Sequence, residues 1–160
     1  MGDKLMELNE IVVNKLIEKG YKISTAESCT GGLLASKIVE VANASRVFDM
    51  SFVTYSNESK IELLGVSESL ISNFGVVSEE VALKMAYGVS KKANCQVGVG
   101  ISGIAGPTGA TPNKPIGMVC FGFYINGQSY SITKQFGDIG RNNVRNLSVA
   151  FALEFINSVL

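Results

Sequence analysis

Two stretches carry residues that could do chemistry. The first is "STAESCTGG" (residues 24–32), in which Ser28 and Cys29 are potential nucleophiles beside a carboxylate, Glu27, and a glycine pair. The second is "TYSNESK" (residues 54–60), which ends on Lys60. A serine or cysteine nucleophile needs a base, and the usual one is absent because the chain contains no histidine. Ser-His-Asp and Cys-His catalysis are thereby excluded, and the commonest zinc ligand is missing. A lysine, a carboxylate, a tyrosine or a water must take that role. Lys60 falls about one turn into a predicted helix, where the positive end of the dipole disfavours a cation and lowers its pKa. A lysine so placed can act as general base for a serine.

Each position also has a plainer explanation. Ser28 and Thr30 could cap the following helix, but one hydroxyl suffices for that and two glycines weaken a helix. Glycines instead let backbone N–H groups approach an anion or a developing oxyanion. Cys29 is a rival nucleophile or an inert thiol against the sheet. Glu27 is the centre of a rival, carboxylate-based hydrolase. Tyr55 and Asn57 either end a strand and cap a helix, or pack on and hydrogen-bond a flat substrate. Thr25, Glu27, Thr30, Gly31 and Gly32 are expected at the same substrate site. Ser102 and Gly103, in "SGIAGPTGATPNKP", either contact substrate or belong to a structural loop. Arg141 and Arg145 open the last predicted helix; Arg141 is a candidate phosphate partner, whereas Arg145 reads as solvent-exposed.

The elements that must position these groups follow from periodicity. Leu5, Leu8, Val12 and Leu16 predict a helix over 4–19, stopped by Gly20. "YKIST", "FDMSFVTY" and "CQVGVGIS" read as strands separated by helices, hence as parallel crossovers. Leu34, Ile38 and Val41 mark a helix after the first strand. "NESKIELLG" and "SESLISNFG" are short helices, and Ser78 caps a longer one with Val81, Met85 and Val89 inward. "PIGMVCFGFYI" and "QSYSITKQF" flank Asn126-Gly127, a two-residue hairpin turn. A last helix starts near Arg141. The expectation is a single α/β domain over 1–160: a three-layer α/β/α sandwich with a mixed five-stranded sheet, mostly parallel with an antiparallel hairpin. Ligands of such sheets bind beyond the carboxyl ends of the parallel strands, where the three unusual loops converge. "GVGISG" matches G-x-G-x-x-G, but its first two glycines lie inside a strand and no helix follows, so a dinucleotide site is rejected.

Composition limits the rest. At 160 residues, 46% hydrophobic and 18% charged, the chain is long and apolar enough to fold. Lys+Arg and Asp+Glu each total 14, so no net field attracts nucleic acid or a membrane surface. No apolar run reaches the roughly 18 residues of a membrane span, and no signal-peptide core is visible. Three scattered cysteines, Cys29, Cys95 and Cys120, show neither disulfide nor zinc spacing, and a reducing cytoplasm is expected.

In order along the chain, "TAESCTGG", "FVTYSNESK", "GVVSEE", "VGISGIAGPTG" and "KPIGMVCFGF" resemble the CinA C-terminal domain family, the nicotinamide-nucleotide amidases. The resemblance runs from about Leu5 to Asn157 and looks like the stand-alone form. It implies hydrolysis of the carboxamide of nicotinamide mononucleotide to nicotinic acid mononucleotide and ammonia. The family's serine falls on Ser28 and its lysine on Lys60, with Tyr55 positioning the ring or relaying a proton. No metal or cofactor is implied. The implied partner is a small nucleotide, with self-association as a dimer. One departure stands out: the family often has aspartate before the arginine of the last helix, where this chain has Gly140. The rival from another class is a non-catalytic module that binds pyridine nucleotides.

Overall fold

A computed structural model describes residues 6–160. Strands β1 (Ile23–Glu27), β2 (Phe52–Val53), β3 (Val97–Gly103), β4 (Met118–Ile125) and β5 (Gln128–Gln135) form one sheet in the order β2-β1-β3-β4-β5. β1 is parallel to both β2 and β3, while β4 is antiparallel to β3 and β5. The helices are α1 (Leu8–Lys19), α2 (Leu33–Val39), α3 (Asn57–Leu64), α4 (Glu68–Phe74), α5 (Glu79–Lys92) and α6 (Arg141–Val159). α1, α2 and α6 cover one face of the sheet; α5, backed by α3 and α4, covers the other. The sandwich expected from the alternation of elements is the one observed.

Boundaries differ where tertiary pairing decides them. The first helix starts at Leu8; Lys4 and Leu5 lie outside the described residues. β1 runs to Glu27 rather than ending at Thr25, because its register with β3 continues to the Glu27–Ile101 pair. Four residues of the polar junction are therefore strand. β2 shrinks from the expected eight-residue run to Phe52–Val53. Asp49 turns aside to pair with Lys22, and the Met50 carbonyl accepts from the Ser24 hydroxyl at 2.6 Å.

The two sheet faces have opposite textures. Val97, Val99, Ile101, Val119, Phe121 and Phe123 point into the main core with α1, α2 and α6. The alternate positions of β3 and β4 include Gly98, Gly100 and Gly122, on which α5 rests. A β-carbon at Gly98 would overlap the Ala86 carbonyl oxygen, and one at Gly100 or Gly122 that of Ala82. The first two glycines of "GVGISG" thus admit a helix backbone, not a nucleotide. Gly100→Ala is expected to push α5 off the sheet and cost about 1–3 kcal/mol, as overpacked cores do. Urea unfolding measures it, and an unshifted midpoint would contradict so close a seat.

β1 pairs with β2 on one side and β3 on the other, so the segments leaving β1 and β3 diverge. A crevice opens between them at the strands' carboxyl ends.

Candidate active site

Glu27 ends β1 with its carboxylate fully buried, and this organises the turn that follows. Oε1 accepts from Thr30 Oγ1 at 2.7 Å and the Leu34 N–H at 2.9 Å; Oε2 accepts from Thr25 Oγ1 at 2.8 Å and the Ala35 N–H at 3.0 Å. α2 has a glycine, Gly32, at its N-cap with φ of 97° and no side-chain cap from its own terminus. Glu27 supplies the missing acceptor and the negative charge that a helix start favours. Capping by Ser28 or Thr30 is thereby corrected. So is the placing of Thr25, Glu27 and Thr30 against substrate: all three are fully buried and their polar groups satisfy one another. A hydrolase centred on Glu27 falls with it. Among the described residues, no group of three His, Cys, Asp or Glu is arranged to hold a metal.

Ser28 emerges from this turn into the crevice. Its N–H donates to the Ile101 carbonyl at 3.0 Å, tying it to the end of β3. α3 is capped by the Ser56 hydroxyl, and one turn in it directs Lys60 inward, leaving that residue only 1% exposed. Lys60 Nζ lies 3.0 Å from Ser28 Oγ and donates to the carbonyls of Thr54, at 2.7 Å, and Tyr55, at 3.2 Å. A neutral amine has two N–H bonds and one lone pair. With both hydrogens on the carbonyls, the lone pair is left for the serine proton.

Burial is the main cause of a Lys60 pKa lowered from 10.5 to about 8. Desolvation, rather than the helix field anticipated from sequence, makes this lysine a usable base. The same burial pushes the Cys29 thiol up to about 11, so at neutral pH it is protonated and a poor nucleophile. The arrangement favours the hydroxyl.

Around this pair is a cleft of about 300 Å³. Tyr55, Asn57, Ser102, Gly103 and Arg141 all line it. Tyr55 is 63% exposed at the rim, and its phenol oxygen accepts from Arg141 Nη2 at 3.0 Å. Arg141 Nη1 donates to the Gly106 carbonyl at 2.8 Å, so α6 is joined across the cleft mouth to the segment after β3. The departure at Gly140 does not remove the arginine: Gly140, with φ of 103°, is the N-cap and Arg141 the first helical residue. The Ser102 hydroxyl donates to the Val76 carbonyl at 2.8 Å, which fixes the far wall and leaves its oxygen lone pairs to the cleft.

Gly31 and Gly32 are not brought to the cleft wall. The Gly31 N–H closes a turn onto the Ser28 carbonyl at 3.1 Å, so it is not an oxyanion donor. Three contributors escaped sequence reading. The Thr54 and Tyr55 carbonyls are main-chain groups without a residue-type signature. Arg145, read as exposed, is half-buried against the nucleophile turn. Its i, i+4 spacing from Arg141 was the available signal.

Residues 5–160 match the CinA C-terminal domain. A CinA-like protein of Kosmotoga olearia is 52% identical over 153 residues, which are 96% of this chain and 37% of that protein. One of Dictyoglomus turgidum is 48% identical over 145 residues, 90% of this chain and 35% of its own length. The chain therefore spans less than two-fifths of these curated relatives. The solved competence/damage inducible protein CihA of Agrobacterium tumefaciens superposes with a TM-score of 0.91 at 37% identity, covering 99% of this chain and 98% of the other. A competence-damaged protein (CinA) superfamily structure from Escherichia coli gives 0.92 at 32% identity, covering 99% and 95%.

Proposed function

The chain belongs to the CinA C-terminal domain family, and from that premise and its cleft we propose that it is a serine amidohydrolase converting nicotinamide mononucleotide to nicotinic acid mononucleotide and ammonia. The observation that carries the reading is the buried Lys60 amine 3.0 Å from the Ser28 hydroxyl, with two carbonyls taking its hydrogens. Nothing of that form is needed to stabilise a fold. An amine held in the dry interior without an ion-pair partner is a cost that a leucine or methionine would avoid.

Neutral Lys60 takes the Ser28 proton as Oγ bonds to the carboxamide carbon, and negative charge moves to the amide oxygen. A backbone N–H beside Ser28, where Cys29 lines the cleft, stabilises that charge and contributes about 3 kcal/mol. The ammonium of Lys60 is steadied by the Thr54 and Tyr55 carbonyls and protonates the departing amide nitrogen, which leaves as ammonia. Water then attacks the nicotinoyl ester by the same route, returning the hydroxyl and releasing the acid. The Tyr55 ring at the rim suits a cationic pyridinium, and Arg141 suits the ribose phosphate. The chemistry calls on no metal or cofactor, and the nucleotide itself is the only partner the reaction requires.

The test is ammonia release from nicotinamide, its riboside and its mononucleotide. The mononucleotide is expected to be the preferred substrate, since it alone carries the phosphate for Arg141. Binding of the mononucleotide without ammonia would replace the enzyme by a binding module.

A further inference from the structure

We propose that Arg145 is a positioning residue of the reaction centre. Its guanidinium holds the Cys29 and Thr30 carbonyls turned away from the substrate, so that the turn after Ser28 presents no carbonyl dipole to the charge formed on attack. The inference rests on Ser28 as nucleophile.

Arg145 Nε donates to the Cys29 carbonyl and Nη2 to the Thr30 carbonyl, both at 3.0 Å. The planar fork therefore bridges two successive peptide groups immediately after the serine. Nη1 donates to Asn142 Oδ1 at 3.0 Å, which orients the fork from within α6. Arg145 is not among the residues lining the cleft, so the carbonyls it holds face α6. In a planar trans peptide the N–H points opposite to the C=O. Turning those two oxygens toward α6 sends the Thr30 and Gly31 N–H groups the other way. That of Gly31 is spent on the Ser28 carbonyl, while that of Thr30 has no acceptor among the described residues. Gly31, with φ of 59°, passes so near the clamp that a β-carbon there would lie 3.6 Å from Nη2. Glu27 also grips this turn, through the Thr30 hydroxyl. Without the guanidinium, two carbonyls next to the nucleophile lose their partners and the peptides are free to flip an oxygen toward the developing oxyanion.

A fluorophosphonate probe tests this independently of substrate identity. Ser28 Oγ attacks phosphorus, fluoride leaves, the serine proton passes to Lys60, and the phosphonyl oxygen occupies the oxyanion position. Arg145→Ala is expected to label Ser28 roughly 30- to 300-fold more slowly, somewhat less than the roughly 100- to 1000-fold cost of removing an oxyanion donor outright. Arg145→Lys should retain part of the rate, and added methylguanidinium should restore part of it to Arg145→Ala. The pH midpoint of labelling should stay where wild type has it. Labelling of Arg145→Ala at the wild-type rate would overturn the proposal. So would slow labelling that neither lysine nor methylguanidinium improves, which would mark a merely structural residue. Because the probe has neither carboxamide nor phosphoribosyl group, absent ammonia release with intact Arg145-dependent labelling would remove the substrate assignment alone.

Discussion

Ser28→Ala is expected to lower ammonia release from nicotinamide mononucleotide by about four decades or more, the scale on which serine hydrolases lose turnover without their nucleophile. The substitution deletes one oxygen atom. Lys60 Nζ keeps the Thr54 and Tyr55 carbonyls, and the Ser28 N–H keeps its bond to Ile101. Folding and mononucleotide affinity should therefore change little, so kcat falls while binding, measured by calorimetry, stays near wild type. Turnover within tenfold of wild type would rule out Ser28 as the bond-forming atom. It would also direct attention to Cys29, whose raised pKa argues against that role.

The second large effect concerns Lys60 and has a pH signature. The free amine is the active form, and its pKa is lowered to about 8. The rate should rise with pH through a midpoint near 8 and then level, with about a tenth of the enzyme competent at pH 7. Lys60→Met keeps the buried volume and removes the base. About two to four decades of rate are expected to go, and the ascending limb with them. A surviving limb near pH 8 would assign the titration elsewhere. Linkage gives an independent check. Since the folded-state pKa lies below the unfolded one, between pH 8 and 10.5 the unfolded chain holds a proton that the folded chain has released. Wild-type stability should rise with pH across that window and be lowest below it, a dependence that Lys60→Met should lack.

The sequence made the sandwich legible because its elements alternate cleanly and three of its helices end on a recognisable signal, Gly20, Gly65 and Gly75. Asn126-Gly127 specified the hairpin for the same reason, a turn whose positive φ values those residues tolerate. Absolute zero in the histidine count narrowed the base to a few residue types and kept Lys60 in view. What stayed hidden depended on direction rather than type. Thr25, Glu27 and Thr30 look like ligand groups in one dimension, yet β1 extends far enough to turn them inward as a helix cap. Arg145 looks solvated until α6 is laid beside the turn after β1. Nor does any periodicity disclose that lone main-chain oxygens receive the Lys60 hydrogens.

The seam between α5 and the sheet has a further implication. Where backbone meets backbone at Gly98, Gly100 and Gly122, there is no slack for one layer to creep along the other. Neighbouring strands β1 and β3 are held in fixed register beneath it, and with them the reach from hydroxyl to amine. Replacements in residues 104–117 can then reshape what the cleft admits without retuning the pair that reacts, which lets selectivity drift while the chemistry stays put.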